Sequence, residues 1–108
     1  MDERRTNTRI DFAGKAYLTY NGRCRCDDVV DVSAEGLALR TDARLKPGKE
    51  VKVFLPVPRG EGYRLCLLKG EVVRRDGKRR GERLLGIAFA PGAVDTRGLL
   101  AEYVAAQA

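Results

Sequence analysis

The sequence predicts an all-β fold, a small six-stranded barrel or sandwich finished by one C-terminal helix. Three observations carry that expectation. Short apolar segments with period-two alternation recur along most of the chain. Turn signals rich in Gly, Pro and Asn separate them, and only the last stretch changes to helical spacing. With 108 residues, 44% hydrophobic and 33% charged, the chain suits one globular domain rather than two or a disordered segment.

Residues 1–11 are polar and basic, with no period to bury, and read as a flexible N-terminal arm. The domain itself is expected over residues 12–108. Its first strand spans Lys15 to Asn21, with Ala16, Leu18 and Tyr20 at alternate positions. Asn21-Gly22 then predicts a tight hairpin, because both residues tolerate positive φ. A second strand follows over Arg23 to Ser33, with Cys24, Cys26, Val30 and Val32 as the expected core set and Asp28 interrupting it. Period two places Asp31 and Ser33 together on the opposite face.

Gly36 begins a third strand in which Leu37 and Leu39 alternate with Arg40. After the Lys46-Pro47-Gly48-Lys49 turn comes the clearest alternation, Val51, Val53, Leu55 and Val57 against Lys52, Phe54 and Pro56. Pro58 to Gly62 reads as a loop. A long strand from Tyr63 to Arg75 follows, with a bulge or bend expected around Leu67-Leu68 and Gly70. Asp76 to Glu82 forms a hairpin loop, Leu84 to Phe89 returns, and Pro91-Gly92 ends the sheet. In Val94 to Ala106, Leu99, Leu100, Tyr103 and Val104 fall at helical spacing. Asp95 is the expected N-cap, and Gly98 weakens this helix by roughly 1 kcal/mol.

Charge narrows the function. The net charge is +6 and the isoelectric point is about 9.5, which favours an anionic partner. Fifteen of the 21 basic residues are arginines, whose planar fork matches phosphate and the guanine edge. The chain contains no histidine, so a serine or cysteine nucleophile has no imidazole to activate it. The sequence therefore points away from an enzyme. Cys24, Cys26 and Cys66 are read as strand fillers in a reducing compartment, since three cysteines without histidine make a poor zinc site. No apolar run is long enough to span a bilayer and no leader is recognised, so a cytoplasmic location is expected.

Two clusters carry candidate chemistry. Arg5 and Arg9 stand four residues apart, about 6 Å in a helical turn or about 13 Å in an extended segment. In the tighter arrangement both guanidinium groups can close on one anion. Spacing alone does not single them out. Arg40/Arg44, Arg75/Arg79 and Arg79/Arg83 share it, where chance placement gives about two such pairs. The second cluster is Asp31-Val32-Ser33-Ala34-Glu35-Gly36, which reads either as an ordinary β-turn or as a ligand-facing corner. A further basic patch, Arg74, Arg75, Lys78, Arg79, Arg80 and Arg83, surrounds the Asp76-Gly77 hairpin and reads as a solvated loop or a nucleic-acid contact. No aromatic residue interleaves those cations for base stacking.

The combination is more informative than its parts. Arg5-Thr6-Asn7-Thr8-Arg9 ahead of Asp31-Val32-Ser33-Ala34-Glu35-Gly36 resembles the PilZ domain family, and Leu85-Gly86-Ile87-Ala88-Phe89 looks like that family's closing strand. The resemblance covers nearly the whole chain. It implies a six-stranded antiparallel β-barrel with a C-terminal helix that binds cyclic di-GMP on its outer surface, with the N-terminal arm folded over the ligand. Carried onto this sequence, Arg5 and Arg9 hold guanine and phosphate groups while Asp31, Ser33 and Gly36 form the floor. Such a ligand presents two phosphates and two guanines, and arginine pairs well with guanine O6 and N7.

Arg4 extends the first motif to Arg-Arg-x-x-x-Arg, as in family members that bind the ligand as a stacked, intercalated dimer. No other cofactor is implied. The resemblance predicts a receptor that changes the conformation of its arm and signals to a partner protein. The alternatives are a PilZ-fold interaction module with weak or no nucleotide binding, and a small nucleic-acid-binding barrel using the basic hairpin.

Overall fold

In the computed structural model, which describes residues 8–77, 83–90 and 94–107, hydrogen bonding follows the alternation read from the sequence. The elements are β1 (Ile10–Tyr20), β2 (Arg23–Val32), β3 (Gly36–Thr41), β4 (Glu50–Arg59), β5 (Gly62–Asp76), β6 (Arg83–Phe89) and α1 (Val94–Gln107). Neighbouring strands pair antiparallel, and the sheet closes on itself in the order β1-β2-β3-β6-β5-β4. Closure is completed between β1 and β4 by three pairs, Tyr17–Phe54, Leu18–Val53 and Thr19–Lys52, and turns one side chain in two toward the interior.

Strand β4 realises the expected pattern: Val51, Val53, Leu55 and Val57 are buried while Lys52 and Pro58 face solvent. Asn21 and Gly22 both take positive φ, 52° and 73°, as a twisted two-residue hairpin between β1 and β2 requires. Helix α1 packs on β4 and β5, with Leu100 and Val104 buried in the barrel core. Tyr103 meets Phe12 edge to face with ring centroids 5.9 Å apart. The side chain of Asp95, the expected N-cap, lies outside the described residues, as do Pro91 and Gly92.

Four local expectations need correction. β1 begins at Ile10 rather than Lys15: Ile10 and Asp11 already pair with Val32 and Asp31 ahead of an irregularity before Gly14, and Phe12 is buried in phase with Ala16 and Leu18. Pro58 and Arg59 belong to β4, and only Gly60 and Glu61 separate it from β5. In β5 the alternation runs without a break through Cys66, Leu68, Gly70 and Val72, and the irregularity falls after Val72. Leu65 and Leu67 therefore point outward.

The fourth correction concerns β2. Cys24 and Cys26 are exposed, while Asp27 and Val29 face inward and Val32 joins the core. A register shift against β3 between Val29 and Asp31 changes the phase of the strand partway along it. The inward turn of Asp27 is compensated locally. Arg25 donates to both of its carboxylate oxygens, from Nε and Nη2, each at 3.2 Å. A second bond from Nη2 to Asp42 ties β2 to the chain after β3. These hydrogen bonds raise the already high pKa of Arg25, so its guanidinium stays charged.

Candidate functional site

The corner between β2 and β3 is where the two motifs meet. Beyond Val32 the chain leaves the strand and turns within three residues. The Ser33 amide donates to the Gly36 carbonyl at 2.8 Å and closes the turn. Ser33 Oγ accepts from the Glu35 amide at 3.1 Å and donates toward the same Gly36 carbonyl at 3.3 Å. A Phe89 amide bond to the Glu35 carbonyl, 2.8 Å, anchors the corner to the end of β6.

Ser33 is accordingly buried, not turned outward beside Asp31 as strand periodicity had it. The reason is that β2 ends at Val32, and period two does not extend into a turn. Gly36 is also explained by the fold. It pairs with Ala88, and a Cβ placed on it would stand 2.3 Å from the Ile87 carbonyl oxygen. Only glycine permits β3 and β6 to approach so closely there.

Asp31 is half-buried on β2, opposite Asp11 of β1 and Ala38 of β3. Its Oδ1 accepts from Arg9 Nη1 at 2.7 Å. The charge-assisted bond turns Arg9 back over the β2–β3 corner from its place just before β1. Arg9 lines a cleft of about 310 Å³ there, together with Ser33, Glu35, Gly36, Arg74 and Gly86. Of the sequence-derived candidates, Arg9, Asp31, Ser33 and Gly36 thus gather at one corner. Arg4 and Arg5 lie outside the described residues.

Sequence reasoning left Arg74 in a separate basic hairpin, and the structure brings it into this cleft. The signal was present but indirect. Arg74 follows the β5 irregularity and pairs with Gly86, inside the stretch read as the closing strand. A larger hollow, of about 920 Å³, opens beside the Asn21–Gly22 hairpin and is lined by none of Arg9, Asp31, Ser33 and Gly36. Among the described residues, no cluster of three or more His, Cys, Asp or Glu side chains is placed to hold a metal ion.

The sequence model of the PilZ domain matches residues 3–106. This chain belongs to the PilZ domain family. PilZ domains are binding and adaptor modules, and the family comprises cyclic di-GMP receptors and adaptors that act on effectors. Among solved structures the chain is similar to the Bacillus subtilis inhibitor of motility (MotI/DgrA), with a TM-score of 0.78 and 17% sequence identity. The likeness covers 92% of this chain and 48% of that one, so the PilZ barrel here spans about half the length of that neighbour. No curated protein sequence matches the chain. The closed six-stranded barrel and terminal helix agree with the fold that the motifs implied.

Proposed function

We propose that the protein is a cyclic di-GMP receptor that signals to a partner protein through its N-terminal segment, and that it has no catalytic role. The observation that carries this reading is the convergence of Arg9, Ser33 and Gly36 on one cleft, with Asp31 holding Arg9 at its rim. In the bound state Arg5 and Arg9 take guanine and phosphate groups, and the Asp31–Gly36 corner forms the floor. The arginine forks suit anionic oxygens, while Asp31 suits the imino and amino edge of guanine. Arg4 adds a third cation that would offset the phosphates of a stacked ligand dimer.

The ion pair between Arg9 and Asp31 suggests how binding is transmitted. Ligand phosphates compete for Arg9, and Arg4 and Arg5 then close over the cleft, so residues 1–9 acquire a new position and present a new surface. Among the described residues no helix is long and apolar enough to cross a membrane, in keeping with a cytoplasmic receptor. Inhibition of motility, the role named for the structural neighbour, is one output that such a surface could serve.

Amide NMR spectra with and without cyclic di-GMP test the site. Shifts concentrated at Arg9, Asp31 to Gly36 and Gly86 are expected. Shifts confined to the hollow beside Asn21 and Gly22 would place the ligand elsewhere. A titration saturating at two ligands per chain is expected for the stacked dimer, and saturation at one would remove Arg4 from that role.

A further inference from the structure

Strand β5 keeps its alternation as far as Val72, and the register against β6 then slips between Val72 and Arg74. The slip leaves Val73 and Arg74 both exposed, the former at 54%, and sets Arg74 opposite Gly86. Gly86 is where the arginine folds back. A Cβ built on that glycine would have Arg74 Cβ at 3.5 Å, Arg74 Nε at 3.8 Å and Val73 Cγ2 at 3.9 Å. Both the root and the head of the Arg74 side chain thus lie over one missing side chain. The arginine runs beside Gly86 of β6 while its side chain stays 65% exposed to a ligand. Asp76 Oδ2 lies 3.3 Å from Nε as an exposed ion pair.

The consequence is a second arginine–aspartate pair at the same cleft. Arg9 with Asp31 and Arg74 with Asp76 contribute guanidinium groups to one hollow, and Val73 adds an apolar neighbour. An arginine whose Nε edge is occupied by a carboxylate still offers its flat face, and purine rings stack on such a face. An ammonium group in the same place would supply charge without a plane. We infer that Arg74, laid over Gly86 beside Val73, is a further ligand-binding residue that stacks its guanidinium on one guanine of the bound dinucleotide. The inference rests on the receptor reading above; Gly86 could carry a β-carbon in ordinary contact with Arg74, so only a larger side chain there would move the arginine.

Calorimetric titration with cyclic di-GMP tests it on the full chain. Arg74→Ala and Gly86→Val are expected to weaken binding by about tenfold or more, the second by displacing an intact arginine. Arg74→Lys should recover less than half of that loss on a logarithmic scale, because it restores charge alone. Lys52→Ala, a cation bordering the other hollow, should bind within about twofold of wild type and so exclude a general effect of net charge. If Arg74→Ala matches wild type while Arg5→Ala loses binding, the receptor reading stands and Arg74 has no part in it. Full recovery with Arg74→Lys would replace stacking by simple charge and overturn the inference. Absence of binding by the wild type would overturn the receptor reading, and this inference with it.

Discussion

Arg9 Nη1 lies 2.7 Å from Asp31 Oδ1, which joins the residue preceding β1 to the C-terminal end of β2. The arginine is 49% exposed and the aspartate 26%, so solvent screens the pair and its effect on folding is small. Asp31→Ala should change unfolding stability by less than about 1 kcal/mol. It should weaken cyclic di-GMP binding by about 1–3 kcal/mol, if the ligand buries the bonds that Asp31 makes. Calorimetry beside urea denaturation separates the two effects. Binding as tight as wild type would remove Asp31 from the floor.

Gly36 is expected to behave in the opposite manner. A Cβ at 2.3 Å from the Ile87 carbonyl oxygen forces β3 and β6 apart, and a backbone neighbour cannot rotate away. Gly36→Ala should cost about 2–4 kcal/mol of stability even without ligand. Urea denaturation checks it, and an unchanged midpoint would contradict the close approach.

Asp27 offers a third check, on an element that serves the fold and not the ligand. Its side chain is 7% exposed and accepts two bonds from Arg25, whereas Asp42 is 65% exposed. Asp27→Ala leaves an inward arginine with its main partner removed and should cost about 1–3 kcal/mol. Asp42→Ala should cost less than half as much. Equal losses would mean that the exposed carboxylate holds Arg25 as firmly as the buried one.

Thiol chemistry reports on the phase of β2. Cys24 and Cys26 are exposed, while Cys66 is buried and burial pushes its thiol pKa up. Two thiols per chain should react rapidly with a disulfide reagent at neutral pH, and the third only as the barrel opens. The raised Cys66 value also fixes a sign. The unfolded thiol ionises first, so the contribution of Cys66 to stability is intact below about pH 8.5 and is lost as pH rises through its folded value. Protection of Cys24 or Cys26 in the native chain would restore the inward phase that alternation alone suggested.

How far the sequence could be read depended on where the strands stay regular. β4 pairs in unbroken register with β5, and its four core residues follow directly from counting by two. In β2 the same count failed, because the slip between Val29 and Asp31 has no marker in residue type and cysteine passes for an apolar filler. Ser33 was misplaced for a related reason: its side chain belongs to a turn and bonds backbone atoms of Glu35 and Gly36. Glycine and serine at this corner were legible as a motif, but the Ile87 carbonyl that demands glycine lies more than fifty positions away. Arg74 escaped because it reaches the cleft through a β-irregularity and a glycine on another strand, a relation that exists only once the barrel closes.

The central claim is that this cleft, with the arginines of the N-terminal segment, binds cyclic di-GMP. Calorimetric titration of the wild-type chain and of Arg5→Ala and Arg9→Ala with that nucleotide tests it most directly. Saturable heat with the wild type, reduced at least tenfold in affinity in both variants, is the expected result. No heat with the wild type, or equal affinity in all three proteins, would contradict it.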